Sequence, residues 1–323
     1  MQAIILQKIG GPENFKIQEV PDPKPKKNEV VIKHQSVGVN FFDVGYRNGH
    51  YKLPKVPAIL GCEGCGIITE IGSDVKDYKV GQRVAYINAG IGSYAEKKSV
   101  NTLNLIAIPD NISHEQISAS FLKGLMAHTL LNKVYLAGLV KRILIHSATS
   151  GVGHILCQWA KNMNIEIIGT VGSDEKIDYA RSIGCSYVIN YKTQNFVEEI
   201  GKITEYNGVG IVYDSVGKET LNKSLECLWA TGICISYGDT SGHVENFNLN
   251  ELVFNSLFIT RPTLARYKSS RIELVVSANA LFEGLSSGII RPKITSYKFE
   301  DVAKAHADIE SKKTMGSSIL IFS

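Results

Sequence analysis

The sequence predicts an α/β protein built in two differently patterned halves, and three observations carry that prediction. Up to about residue 125, short β-like runs are punctuated by turn residues; beyond it, apolar strands alternate with helical stretches. The third is size: 323 residues with 44% hydrophobic side chains suffice for two separate cores. In the first half the runs at 30–33, 64–71 and 82–87, the last introduced by Val80-Gly81, predict a small barrel or strongly twisted sheet. In the second half, strands are expected at 142–146, 166–171, 187–190, 211–214, 233–237 and 257–260, with helices at 154–163, from about Glu175, from Asn195 and after residue 214. Such alternation means a doubly wound parallel sheet covered on both faces. The tail reads as a helix at 301–310 and a strand at 318–322 that returns to the first half.

Composition excludes several classes. The formal charge is +4, and the one tight basic cluster, Lys24-Pro25-Lys26-Lys27, sits in a proline-rich loop, so a solvated turn explains it better than a nucleic-acid patch. The apolar run at 3–6 is too short for a signal-peptide core, and no segment approaches the ~18 apolar residues of a membrane span. A cytoplasmic protein is the expectation. Six scattered cysteines in apolar surroundings (Cys62, Cys65, Cys157, Cys185, Cys227 and Cys234) read as reduced, buried thiols rather than a disulfide framework.

The most informative stretch is Arg142-Ile143-Leu144-Ile145-His146-Ser147-Ala148-Thr149-Ser150-Gly151-Val152-Gly153. An apolar strand runs into a small-residue turn and then a helix, where backbone amides and the positive helix end can hold a dinucleotide pyrophosphate. Ala148 and Ser150 replace two glycines of the G-x-G-x-x-G fingerprint, so a purely structural corner stays open as the rival reading. The next strand at 166–171 completes a βαβ unit of about the expected ~30 residues.

Several motifs together carry a family resemblance: Gly10-Gly11-Pro12-Glu13, Gly38-Val39-Asn40-Phe41-Phe42-Asp43, Gly61-Cys62-Glu63-Gly64-Cys65-Gly66, Phe121-Leu122-Lys123-Gly124-Leu125, the glycine turn, Tyr213-Asp214-Ser215-Val216-Gly217 and Gly316-Ser317-Ser318. The chain resembles the medium-chain dehydrogenase/reductase superfamily and, within it, the zinc-free quinone oxidoreductases that include zeta-crystallin. That resemblance implies a GroES-like β-barrel catalytic domain (1–125, completed by 263–323) and a Rossmann nucleotide-binding domain (126–262), with the nicotinamide in a cleft between them. It also suggests a homodimer.

Zinc is not expected. Asn40 stands where the zinc relatives carry their first cysteine ligand, Cys62 where they carry histidine, and no cysteine lies between Cys65 and Cys157 to build a structural quartet. The Cys62-x-x-Cys65 spacing has no second pair and reads as two buried thiols. Without a Lewis acid, the chain suits hydride donation to an acceptor that is already electrophilic.

Cofactor choice turns on the end of the second strand of the parallel sheet. Asp174 has the spacing of a ribose-binding acid, yet it falls in a first helical turn that Ser173 is expected to cap, and Lys176 can reach back over a neutral strand end. The resemblance places Gly172, Ser173, Lys176 and Tyr191 around the 2′-phosphate, so NADPH is expected over NADH. It further implies that Asn40, Phe41, Phe42, Asp43, Val44, Gly45, Thr129, Gly151, Val152, Ser215, Tyr237, Gly238, Asp239, Thr240, Pro262, Thr263, Leu264 and Lys312 line the rest of the cofactor site. Lys312 replaces an arginine of close relatives, and Asp239 a residue usually uncharged there.

Hydride transfer requires positioning rather than a nucleophile. Asn40 and Tyr51 are the candidate catalytic groups, orienting or polarising a carbonyl oxygen; a lid contact is the plainer role for Tyr51, with protons coming from water. Lys123 reads as a helix-start lysine, and His128 as a histidine without a carboxylate partner. The expected function is NADPH-dependent reduction of a small-molecule quinone without metal. The alternatives are reduction of an activated C=C bond in an enal, enone or enoyl thioester, and a non-enzymatic crystallin-like or RNA-binding role, against which the diffuse charge argues.

Overall fold

The computed structural model describes residues 1–322, and its chain divides into two units. Unit 1 holds Met1–Lys123, Arg271–Ser286 and the chain from Pro292 on; unit 2 holds Gly124–Ser270 and Ser287–Arg291. No helix among the described residues is long and apolar enough to cross a membrane.

In unit 1 the chain forms β1 (Gln2–Leu6), β2 (Phe15–Glu19), β3 (Glu29–Val39), α1 (Phe41–Asn48), β4 (Ala58–Ile59), β5 (Gly64–Ile71), β6 (Arg83–Tyr86), β7 (Lys97–Asn101) and β8 (Leu105–Ala107) before helix α2 (His114–Thr129). Strand β3 is the hub. It pairs antiparallel with β5 and β7, and its register shifts between Val31 and Ile32 and between His34 and Ser36 let it bend. The expected run at 30–33 is only its first third. The rest was hidden by polar residues that the fold buries: His34 Nδ1 meets the Ala95 carbonyl at 2.6 Å and its Nε2 the Tyr86 hydroxyl at 2.9 Å. Val30, Ile32, Ile68, Val84, Val100 and Leu105 pack into one core of this unit; Ile4, Leu6, Val37, Val39, Leu60 and Leu320 belong to another.

Unit 2 is the doubly wound element. Its strands are β9 (Arg142–Ile145), β10 (Glu166–Val171), β11 (Tyr187–Asn190), β12 (Val209–Asp214), β13 (Leu228–Ser236) and β14 (Phe258–Thr260). Between and after them lie α3 (Gly151–Asn162), α4 (Ile177–Ser182), α5 (Phe196–Ile203), α6 (Leu221–Glu226) and α7 (Leu264–Tyr267). All pairings are parallel, in the order β11-β10-β9-β12-β13-β14. That is the dinucleotide-fold order 3-2-1-4-5-6, whose switch point lies between β9 and β12. Every residue of β12 is buried, as a central strand covered on both faces requires.

The tail adds α8 (Arg271–Ser286), β15 (Ile294–Lys298), α9 (Val302–Glu310) and β16 (Ser317–Ile321). Strand β16 pairs antiparallel with β3, Ser318 opposite Val39, and parallel with β15. The return to unit 1 comes at Arg271 rather than at residue 263, and residues 287–291 revert to unit 2. Hydrogen bonds explain the reversion: the Arg291 carbonyl accepts from His154 Nε2 at 2.8 Å and Gln158 Nε2 at 3.2 Å, and its amide donates to Gln158 Oε1.

Candidate active site

The glycine turn of unit 2 is built for close approach. Helix α3 starts at Gly151, three residues before the expected His154, because Ser150 caps it: its Oγ accepts from the Gly153 amide at 3.2 Å. Both glycines therefore sit in the first helical turn, with amides directed out of the helix end. Gly153 has no room for a side chain, since a Cβ there would lie 2.4 Å from the Ser147 carbonyl oxygen. Beneath the turn, His146 is buried between Thr170 Oγ1 at 2.9 Å and Ser224 Oγ at 3.0 Å. Burial lowers its pKa, although Asp214 opposes this, so the ring is neutral at neutral pH.

At the end of β12, the buried Asp214 carboxylate accepts from the amides of Val216 and Gly217 and from Thr220 and Ser224. These bonds shape the loop that carries Ser215. The hydroxyls of Ser215 and Tyr237, at the ends of β12 and β13, are buried without a hydrogen-bond partner of normal geometry. Such groups call for a polar ligand. Gly238 packs on the Ser215 backbone, and the Thr240 amide donates to the Ser215 carbonyl. Asp239 is buried and its carboxylate accepts from Arg261 Nη2 at 2.8 Å and meets His243 Nδ1 at 2.7 Å. Pro262 is buried, Thr263 precedes α7 and Leu264 opens it.

At the ends of β10 and β11, the Tyr191 ring packs over Gly172 and its amide donates to the Val171 carbonyl. The expected Ser173 cap is absent: the side chain makes no capping bond to the single 3-10 turn Asp174–Lys176. Asp174 instead accepts from Asn190 Nδ2 at 2.8 Å, which ties the acid to β11. Lys176 closes that turn half-buried. Sequence reasoning missed Lys192, which lies over the Tyr191 ring at 5.2 Å and pairs with Glu219; its adjacency to Tyr191 was the available signal. Thr129 spends its hydroxyl on the Leu125 carbonyl of its own helix, and Val152 follows Gly151 in α3. Lys312 lies in unit 1, in an exposed left-handed turn after α9.

In unit 1 the loop at 40–45 enters α1 at Asn40. Asp43 Oδ2 accepts from the Asn40 amide at 2.9 Å, and the Asp43 amide donates to the Asn40 backbone carbonyl at 3.0 Å. Burial pushes the Asp43 carboxyl up to about 6, against the hydrogen bond that the Cys62 thiol donates to its other oxygen at 3.1 Å. Burial and that anion push the Cys62 thiol far above its ordinary range. Phe41 opens α1 and Val44 is buried in it, while the Phe42 ring lies 4.8 Å from both Tyr46 and Tyr51 and the Tyr51 amide donates to the Gly45 carbonyl at 2.9 Å. Lys123 is not at a helix start. It lies within α2, buried, with Nζ 3.5 Å from Glu63 Oε1. His128 is buried against Trp159.

The GroES-type sheet of unit 1 and the 3-2-1-4-5-6 sheet of unit 2 define a medium-chain dehydrogenase/reductase. Residues 26–110 match the family model described as alcohol dehydrogenase GroES-like domain, and residues 151–277 that described as zinc-binding dehydrogenase. Quinone oxidoreductase 1 of Escherichia coli (strain K12) is 40% identical over 322 residues, 98% of each chain. The crystal structure of Escherichia coli quinone oxidoreductase complexed with NADPH superposes with a TM-score of 0.96 at 39% identity, over 99% of this chain and 100% of that one. A 2-haloacrylate reductase from Burkholderia sp is 35% identical over 99% of both chains. The chain belongs to the quinone oxidoreductase family.

Proposed function

We propose that this protein is an NADPH-dependent quinone reductase that works without a metal. The observation that carries the reading is the state of the donors at Asn40 and Cys62. The Asn40 amide nitrogen, which has no lone pair for a metal, is bonded to Glu63 Oε1 at 2.9 Å, and the Cys62 thiol donates to Asp43 Oδ1 at 3.1 Å. Zinc is held by thiolate, imidazole and carboxylate donors, and Asn40 supplies none of these. This set does not fit it, whatever the name of the matched domain.

The dinucleotide does fit unit 2. Gly151, Val152 and the start of α3 would hold the pyrophosphate, while Gly172, Ser173, Lys176 and Tyr191 would surround the 2′-phosphate. Ser215 and Tyr237, whose buried hydroxyls engage only each other and in poor geometry, would gain a polar partner, with Gly238, Thr240, Pro262, Thr263 and Leu264 beside them. Asp239 holds Arg261 and His243 and so supports that edge. Thr129 belongs to unit 2, while Lys312 and the loop from Asn40 through Phe41, Phe42, Asp43 and Val44 to Gly45 are carried by unit 1. NADPH, when bound, supplies the hydride. The remaining Asn40 N–H would polarise an acceptor carbonyl, Tyr51 would orient the ring, and water would deliver the proton. A quinone suits such a site because its reduced form is stabilised as an aromatic alkoxide without a strong acid.

The 2-haloacrylate reductase relative favours a second reading, hydride addition to an activated C=C bond. Steady-state turnover of a quinone and enone panel with NADPH and NADH, in chelator, tests both. Quinone turnover that survives chelation, with Tyr51→Phe costing less than about tenfold, supports the first. Activity confined to enones and abolished by Tyr51→Phe would replace it with the second. A homodimer across the outer edge of β14 accords with the exposure of Leu249, Val253, Phe254 and Phe258 beside that edge. The six free cysteines accord with a reducing cytoplasm.

A further inference from the structure

The Asn40 amide is not free to choose how it faces an acceptor. Nδ2 donates one hydrogen to Glu63 Oε1 at 2.9 Å. A flipped amide would set oxygen against the carboxylate at Glu63, so the observed orientation is the one allowed. One Nδ2 hydrogen is left over. Asn40 is thereby presented as a donor and never as an acceptor.

Glu63 is itself held on every side. Oε2 accepts from the Leu122 amide at 2.8 Å, and Oε1 is 3.5 Å from Lys123 Nζ as well as bonded to Asn40. The carboxylate is 1% exposed, and Lys123 6%. Gly38 makes the space: a Cβ there would stand 2.1 Å from Glu63 Oε1. A buried, charge-compensated carboxylate behind a short amide is costly where a neutral side chain would cap α1 equally well. Its use lies in what the amide faces.

We propose that Glu63, with Lys123 as its counter-charge, is a positioning residue that fixes the Asn40 amide as a hydrogen-bond donor toward the acceptor's carbonyl oxygen. The inference rests on the reading that Asn40 faces the acceptor. It makes the site selective for substrates that develop negative charge on oxygen as hydride arrives, and unreceptive to groups that would offer a proton there.

The test is a double-mutant cycle on the full-length protein with 1,4-benzoquinone and NADPH, using Asn40→Ala, Glu63→Gln and their combination. Glu63→Gln is expected to lower kcat about tenfold to a hundredfold, less than the roughly hundredfold to thousandfold of removing an oxyanion donor outright because the amide itself remains, and to leave the NADPH Kd from fluorescence titration within about twofold. It should cause no further loss once Asn40 is alanine. In the Glu63→Gln protein, the Asn40 side-chain amide resonances of a sample labelled with 15N-asparagine should lose their protection from exchange. Because Glu63→Gln strands a buried lysine, Glu63→Gln/Lys123→Met provides the folded control: melting temperature restored, kcat still low. Equal losses in both Asn40 backgrounds, or turnover restored along with the melting temperature, would overturn the proposal by making Glu63 a structural group. An Asn40→Ala protein with undiminished kcat would instead overturn the reading beneath it, that Asn40 faces the acceptor.

Discussion

Replacing Asp43 by asparagine should flatten one component of the pH dependence of stability. The carboxyl is fully buried, and burial carries it from 3.8 to about 6 in the folded protein. A carboxyl whose folded pKa is raised stabilises the fold while protonated, below the unfolded value. That contribution is lost as pH rises through the folded one. About two pH units at 1.36 kcal/mol each come to about 3 kcal/mol lost between roughly pH 4 and pH 6. Asparagine keeps an oxygen for the Asn40 amide and an N–H that can donate to the Cys62 sulfur, so the capping geometry survives. Buried histidines titrate in the opposite sense, His146 among them. Burial lowers His34 to about 4 and His306 to about 3, so each withholds stability in acid and restores it as pH rises toward 6.5. The quantity to read is therefore the difference between variant and wild type, in which the histidines cancel. Urea unfolding followed by far-UV circular dichroism at intervals from pH 4 to 7.5 provides it. Relative to wild type, Asp43→Asn should gain about 3 kcal/mol across that interval; a flat or falling difference would refute the burial argument.

Three further outcomes follow from the geometry. Lys176→Ala should raise KM for NADPH by about tenfold or more and leave NADH kinetics nearly unchanged; equal losses with both cofactors in steady-state assays would show that the lysine does not read the 2′-phosphate. Gly153→Ala forces the turn to yield about 1 Å to clear the Ser147 carbonyl, an overpacking cost of about 1–3 kcal/mol that should weaken the NADPH Kd in a fluorescence titration by about fivefold to a hundredfold. Phe254, at 95% exposure, marks the surface beside β14, and Phe254→Asp should convert the proposed dimer to a monomer by light scattering while leaving the melting temperature of unit 2 near that of wild type; a wild-type protein that is already monomeric would refute the dimer.

What could be read from the sequence was what is local in it. Strands β5, β10 and β11 occupy the expected residues because each is apolar and closed by turn chemistry on both sides. The glycine turn was legible for the same reason, with strand, cap and helix lying within twelve residues. Helix α8 escaped notice because it is apolar on most of its surface and gives no one-sided stripe, and β1 and β2 because their runs are short. The part of the site that sets Asn40 was illegible in kind. Glu63 and Lys123 lie 23 and 83 positions from it, and a charge pair buried by tertiary packing looks, in one dimension, like two solvated residues. Ser173 shows the converse error: a good capping residue in a good capping position gave its hydroxyl no such role, because Asn190 had already secured Asp174 from the neighbouring strand.

The pairing of β16 with β3 sets an order of events during synthesis. Along the chain, unit 2 falls almost wholly after the first segment of unit 1 and before the later ones, so its parallel sheet can close while the ribosome still holds the later strand. Throughout that interval the flank of β3 from Ser36 to Val39 has no neighbour on the side that Ser318 to Ile321 will occupy. An apolar open flank of that kind is where nascent chains stick to one another, and it is shielded only when β16 emerges. Val39 is the residue before Asn40. Chains halted short of β16 should therefore be doubly compromised, prone to aggregate and unable to fix the amide proposed to face the acceptor, even with an intact nucleotide-binding sheet.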